Sequence, residues 1–215
     1  MPLTLHTYFY SSAAYRVRIA LNLKGIAYQA VTHDLRRKAH HDDAFLRLNP
    51  QGLVPALVDG GEVITQSLAI IEYLEETHPE PTLLPADPPG RARVRAIAQA
   101  IACDIHPLNN LRVLRYLVHE AGLSDAAKDA WYAHWVALGF EAIETMLAGD
   151  PRTGRFCHGD APGLADCCLV PQVANARRFK LPLDAYPTIL RIDEAARALP
   201  AFAAAAPEAQ ADYSP

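Results

Sequence analysis

The sequence predicts an α/β domain over residues 1–80 followed by an all-helical domain over residues 91–215, on three observations. Before residue 80 the hydrophobic periodicity switches between two and 3.6 residues in the order β-α-β-α-β-β-α. From Pro79 to Gly90 the chain reads Pro-Glu-Pro-Thr-Leu-Leu-Pro-Ala-Asp-Pro-Pro-Gly, a proline density that neither a helix nor a central strand tolerates, so the boundary falls there. After it, only the 3.6-residue period recurs.

Taken in order, Leu3 to Tyr8 alternates as a strand, Tyr15 to Leu23 is helical, Tyr28 to Val31 is extended, and Asp42 to Leu48 is helical. The segment from Asn49 to Leu74 then holds a loop, the proline-led strand Ala56-Leu57-Val58, a turn at Gly60-Gly61, a second strand and a capped helix. In the second domain Val94, Ile97, Ala98, Ile101, Ile105 and Leu108 line one helical face, and Pro107 is expected to bend or break that helix, because proline removes an N–H. Further helices are predicted over roughly 124–148, 164–179 and 187–199, ahead of an alanine-rich tail from Ala201.

Composition narrows the function. A formal net charge of −4 and a pI near 6.1 do not attract nucleic acid or an anionic membrane surface. Polar residues interrupt every apolar run, so neither a signal peptide nor a membrane span is predicted and the cytoplasm is the expected location. Cys103, Cys157, Cys167 and Cys168 have neither C-x-x-C nor metal-ligand spacing, and the nine histidines form no H-E-x-x-H motif, so no metal is expected. Arg91, Arg93 and Arg95, which follow the proline-rich segment, read as a solvated helix face.

The segment from Asn49 to Leu74 has the makings of a binding edge. Val54 precedes a proline that opens a strand, which leaves its backbone available to pair with a peptide-like ligand. Gln66 and Ser67 fall where a strand meets a helix start, a place that attracts a carboxylate, although both residues are also ordinary helix caps. A small peptide bearing a carboxylate suits both halves.

The run Ser11-Ser12-Ala13-Ala14-Tyr15-Arg16-Val17-Arg18-Ile19-Ala20-Leu21 resembles the signature S-S-C-S-W-R-V-R-I-A-L, departing from it only at Ala13, Ala14 and Tyr15. Asp104-Ile105-His106-Pro107-Leu108-Asn109-Asn110 and Gly159-Asp160 through Ala165-Asp166 extend the likeness, which covers essentially the whole chain. The chain therefore resembles the zeta-class glutathione transferase family, which includes maleylpyruvate and maleylacetoacetate isomerases. The resemblance implies a thioredoxin-like N-terminal domain, an all-helical C-terminal domain, a cis peptide before Pro55, glutathione as cofactor, and a cytoplasmic homodimer in which Asp104 reaches the partner's glutathione. It also implies that Ser11, Ser12, His40, Gln51, Val54, Gln66, Ser67, Asp104 and His106 contact glutathione, and that Asn110, Arg112 and Arg178 bind a small dicarboxylate substrate. By its residues alone His106 reads as a packed histidine, and the vicinal Arg177-Arg178 pair as a solvated helix face.

The chemistry implied is rotation about a carbon–carbon double bond. A thiolate that adds reversibly to an activated alkene makes the bond single for long enough to turn, then leaves unchanged. A free thiol with pKa near 8.5 is mostly protonated at neutral pH, so the site has to favour the thiolate. Ser11, between the first strand and first helix, has its hydroxyl and the helix N-terminal N–H groups placed for that, and is the catalytic residue the resemblance implies; as a serine there it also reads as a cap. A dicarboxylate calls for guanidinium partners. Here Tyr10 stands where these isomerases usually have an arginine, and Gly163 stands where they have the serine or threonine of a capping box, with Asp166 retained. Three readings follow: a glutathione-dependent cis–trans isomerase, a glutathione transferase that conjugates or dehalogenates small electrophiles, and an interaction protein on the same fold. Retention of Ser11, Val54-Pro55 and Gln66-Ser67 weighs against the third.

Overall fold

In a computed structural model, which describes residues 3–214, the chain forms two compact units. One consists of the residues up to Leu84 together with those from Arg197 on; the other is Pro85–Ala196.

The first unit is built on a four-stranded sheet in the order β2-β1-β3-β4. β1 (Leu3–Thr7) pairs parallel with β2 (Tyr28–Thr32) and antiparallel with β3 (Ala56–Asp59), which pairs antiparallel with β4 (Glu62–Thr65). A parallel pair needs a crossover, and α1 (Ser12–Leu23) supplies it. Two residues, Gly60 and Gly61, join β3 to β4, both at positive φ (58° and 109°), as a tight right-twisted hairpin requires. α2 (Asp43–Leu48) is short and follows a 3₁₀ turn at Ala39–His41, while α3 (Ser67–Thr77) follows β4 directly. Leu5, Val17, Ile19, Leu21, Leu57, Ile70 and Leu74 form the core.

The alanine-rich stretch that reads as a featureless tail is instead helical and belongs to this first unit, although the sequence places it with the second. α9 (Pro200–Ala205) lies on α1 with Phe202 and Ala205 buried. Asn22 Nδ2 donates to the Ala201 carbonyl at 2.9 Å and Arg18 Nε to that of Ala205 at 2.9 Å. Small alanines let the two helices approach, and one large side chain supplies the apolar contact that periodicity in so short a run does not reveal.

The second unit holds α4 (Pro88–Gln99), α5 (Leu111–His119), α6 (Asp125–Ala148), α7 (Leu164–Arg178) and most of α8 (Pro187–Arg197). α4 begins inside the proline-rich segment rather than after it. Asp87 caps it by accepting the Gly90 N–H at 2.9 Å, and Pro88 sits in the first turn, where a missing N–H removes no bond. Pro107 breaks the long helix as expected: α4 loosens into a π-helical turn at Ala100–Ile105, tightens into a 3₁₀ turn at His106–Asn109, and α5 starts afresh. Gly139 of α6 faces Ile105, and a methyl group there would overlap Ile105 Cγ1 and Cδ1. Asp166 accepts the N–H of Gly163 and that of Cys157, each at 2.9 Å, so half of the capping box survives the glycine. Arg93 is not the solvated residue its sequence context suggests. It is buried, and donates to Asp150 Oδ2 at 2.8 Å, the Cys157 carbonyl at 2.6 Å and Thr153 Oγ1 at 2.6 Å. Among the described residues no helix is long and apolar enough to cross a membrane.

Candidate active site

In the first unit the chain leaves β1 at Thr7 and turns into α1, with the Ser11 N–H donating to the Tyr8 carbonyl at 3.0 Å. Ser11 is the N-cap: its Oγ accepts the Ala14 N–H at 3.2 Å. A hydroxyl has one proton and two lone pairs, so this bond leaves the proton free to be given to another acceptor, and the cap and a donor role coexist. Ser12 is buried in the first turn of α1. Tyr10 stacks obliquely on Phe9, ring centroids 4.3 Å apart.

A second group of residues surrounds the start of β3 and of α3. Asn49, buried, organises the loop between α2 and β3: its Nδ2 donates to the Leu53 carbonyl at 2.7 Å and its Oδ1 accepts the Gln51 N–H at 3.1 Å. Gly52, at φ 59°, lies against the His40 carbonyl and the His41 ring, where a Cβ would come within 3.2 Å of both, so the loop and the His40 turn approach closely. The Val54–Pro55 peptide is cis, as the resemblance implies, and so is Glu80–Pro81, which the sequence did not suggest. Strand pairing ends at Ala56, so Val54 lies beyond the ladder. Gln66, at φ 70°, is the N-cap of α3 but makes no side-chain capping bond; its Nε2 donates instead to Gln51 Oε1 at 2.9 Å. Ser67 opens α3, buried, and its Oγ accepts from Arg16 Nη1 at 3.1 Å. Arg16, almost wholly buried on α1, thus places a cation beside the N-terminus of α3. Backbone outside the strand ladder at Val54, helix N–H groups left uncapped by Gln66 and a buried guanidinium are groups of the kind a short peptide with a carboxylate needs, and glutathione is such a peptide.

The second unit carries the remaining predicted residues. Asp104 is exposed in the π-helical turn and His106 opens the 3₁₀ turn. Asn110 Nδ2 lies 3.3 Å from His106 Nε2, and Asn110 Oδ1 accepts the Arg112 N–H at 3.1 Å as the cap of α5. His106, Asn110 and Arg112 are therefore one cluster, with the Arg112 side chain exposed. Arg178 lies on α7, its guanidinium 5.3 Å over the Phe179 ring, and Phe179 stacks on Tyr132 at 3.7 Å. Burial pushes the Tyr132 phenol up to about 12, against the opposing charge of Arg178. The vicinal arginines divide their work: Arg177 pairs with the fully buried Asp193 at 2.6 Å, a structural bond, while Arg178 is solvent-facing. Sequence reasoning missed Asn49 and gave Arg16 no partner. An asparagine three residues before a loop glycine, placed to accept the N–H two residues on, was the available signal for the first; the second needed the tertiary fold.

The strand order, the cis peptide before β3 and the serine-capped α1 define a glutathione transferase N-terminal half, and the model of the glutathione S-transferase N-terminal domain matches residues 5–82. Over 208 residues the chain is 52% identical to the maleylpyruvate isomerase of Ralstonia sp., covering 97% of this chain and 98% of that one. Its structure superposes on a maleylpyruvate isomerase described as a bacterial glutathione S-transferase of the zeta class, in its holo form, with a TM-score of 0.96 at 52% identity, covering 98% of this chain and 100% of the other. It superposes equally, TM-score 0.96 at 45% identity over 99% and 100% of the chains, on a maleylacetoacetate isomerase from Methylobacterium extorquens with bound malonate and glutathione. The chain belongs to the zeta-class glutathione transferase family of maleylpyruvate and maleylacetoacetate isomerases.

Proposed function

We propose that this protein is a glutathione-dependent cis–trans isomerase that converts maleylpyruvate or maleylacetoacetate into the fumaryl isomer during the degradation of aromatic compounds. The observation that carries the reading is the Ser11 hydroxyl, held at the N-terminus of α1 by its bond from Ala14, with its own proton left to donate. Relatives of nearly the same length carry these activities in their names, and one of them binds malonate, a small dicarboxylate, together with glutathione.

Bound glutathione supplies the thiolate nucleophile. Ser11 donates its proton toward the sulfur, and the N-terminal field of α1 adds to that preference; each unit by which the thiol pKa falls is worth about 1.4 kcal/mol. Val54 pairs its backbone with the peptide, Gln51, Gln66 and His40 fix it laterally, and Ser67, Ser12 and the α3 N-terminus serve its polar groups. In the second unit Asp104 and His106 are assigned to glutathione, and Asn110, Arg112 and Arg178 to the substrate carboxylates. The protein acts as a cytoplasmic homodimer.

A second reading, conjugation of small electrophiles, is favoured by Tyr10, which sits within an aromatic group with Phe9 and Tyr213 where these isomerases have a cation. One experiment separates the two: maleylpyruvate absorbance is followed with glutathione far below the substrate concentration. Many turnovers per glutathione are expected; stoichiometric loss of free thiol makes the protein a conjugating transferase, and failure to bind glutathione rules out both.

A further inference from the structure

The peptide units just before Ser11 are held by charged and aromatic groups that the end of the chain brings to them. The Phe9 N–H donates to Asp212 Oδ2 at 3.2 Å, and the Phe9 carbonyl accepts from Arg18 Nη2 at 3.2 Å. Arg18, fully buried on α1, also donates to Thr7 Oγ1 at 3.0 Å, to the Tyr8 carbonyl at 3.3 Å and, through Nε, to Ala205 of α9. Tyr213 sets its ring edge-on to Phe9 at 5.5 Å and to Tyr10 at 6.2 Å, and its phenol is hydrogen-bonded to Tyr10. The segment itself is anchored: the Tyr213 N–H donates to the Gln210 carbonyl at 3.0 Å, and Gln210 Nε2 donates to the carbonyls of Ala204 and Ala206, each at 2.9 Å.

We propose that Asp212 and Tyr213 are positioning residues of the thiol site, fixing the Phe9–Tyr10 segment and through it the direction in which the Ser11 hydroxyl points. The proposal rests on the reading of Ser11 as thiol activator. The path is short: the Ser11 N–H bonds to the Tyr8 carbonyl, which Arg18 also holds; the N–H of that same Tyr8–Phe9 peptide is gripped by Asp212, and the carbonyl of the following peptide, that of Phe9, by Arg18. A hydroxyl helps a sulfur only within a narrow range of distance and angle, so freedom in this loop is lost activation. Burial lowers the Arg18 pKa to about 10, which still leaves the guanidinium a cation at neutral pH.

The test uses the full chain with maleylpyruvate and saturating glutathione, comparing kinetics at about pH 7 and about pH 9, either side of the free thiol pKa. The ultraviolet absorbance of the bound thiolate is titrated in parallel, and melting temperatures separate misfolding from misplacement. Asp212→Ala lowers kcat about tenfold at the lower pH and far less at the higher, and raises the thiolate titration by about one unit, because one unit of pKa is a factor of ten in thiolate. Asp212→Asn keeps an acceptor for the Phe9 N–H and recovers most of the rate, while Tyr213→Ala falls severalfold in the same pH-dependent way. Equal losses at both pH values, or an unmoved thiolate titration in Asp212→Ala and Tyr213→Ala while Ser11→Ala moves it, overturn the positioning role alone. An unmoved titration in Ser11→Ala itself overturns the reading on which the proposal rests. If Asp212→Ala fails to fold, the Tyr213→Ala and Tyr213→Phe titrations decide by the same criteria.

Discussion

Asn49 shows how much of this site depends on a residue with no chemical role. Its two bonds, to Leu53 and from Gln51, close the loop that carries Val54 and Gln51, and it is itself buried, so removing it leaves two part-buried partners short of a bond. Asn49→Ala is expected to raise the KM for glutathione severalfold with a smaller change in kcat, and to cost about 1–3 kcal/mol, the penalty of unpaired buried groups, in urea unfolding. An unchanged KM would show that the loop keeps its shape unaided. Residues proposed to contact a ligand are easier to read from the sequence than residues that hold them. Ser11, Val54 and Gln66 sit in short motifs with local meaning, whereas Arg16 meeting Ser67 joins positions 51 residues apart in the chain. His6 and His33 make the same point: parallel pairing of β1 with β2 brings their ring nitrogens to 2.8 Å, and no spacing in the sequence announces it.

Among the elements, strands and long helices follow the periodicity, and the differences lie where prolines and alanines govern. Pro88 starts a helix instead of ending a linker, because its effect depends on whether the N–H it lacks had a partner. α9 is legible only through what covers it. The junction of the π-helical turn with α6 is tuned in the same local way, since Gly139 leaves room for Ile105, itself buried. Gly139→Ala is expected to destabilise the second unit by about 1–3 kcal/mol through overpacking, more than offsetting the gain in helix propensity. Adding Ile105→Val, which removes the overlapped terminal methyl, recovers part of that loss in a double-mutant cycle. Strict additivity of the two changes would contradict the contact.

At the scale of the molecule the two units respond to acid through different groups. In the first, burial lowers the pKa of both His6 and His33, and their facing nitrogens cannot both carry a proton. The unfolded chain then binds more protons than the native one, so this contribution to stability is present above the ordinary histidine pKa, about 6.5, and is lost as pH falls through it. Glu75 follows at lower pH. Burial acts to raise its pKa, but bonds from Lys24, Thr82 and the Leu83 N–H outweigh it and hold the carboxyl low, so its contribution disappears below about pH 4.3, the ordinary value. In the second unit Asp150, held low by Arg152 and then by Arg93, protects until that same acid range, and the buried Asp166, raised by burial, resists acid rather than yielding to it. Amide hydrogen exchange followed from about pH 7 to about pH 4 is expected to report loss of protection in the first unit before the second. The reverse order would show that these pairs do not set acid stability.

The first unit also encloses the second in sequence, and this orders its biosynthesis. Residues from Arg197 on emerge only after Pro85–Ala196 have been made, a delay of seconds at about 5–20 residues per second. Throughout that interval the face of α1 that Phe202 and Ala205 will cover is open to solvent and the Phe9 N–H lacks Asp212. The loop before Ser11 thus receives its fastenings in two instalments, and a ribosome stalled inside the second unit has made every strand of the first but not the Asp212 that bonds the Phe9 N–H.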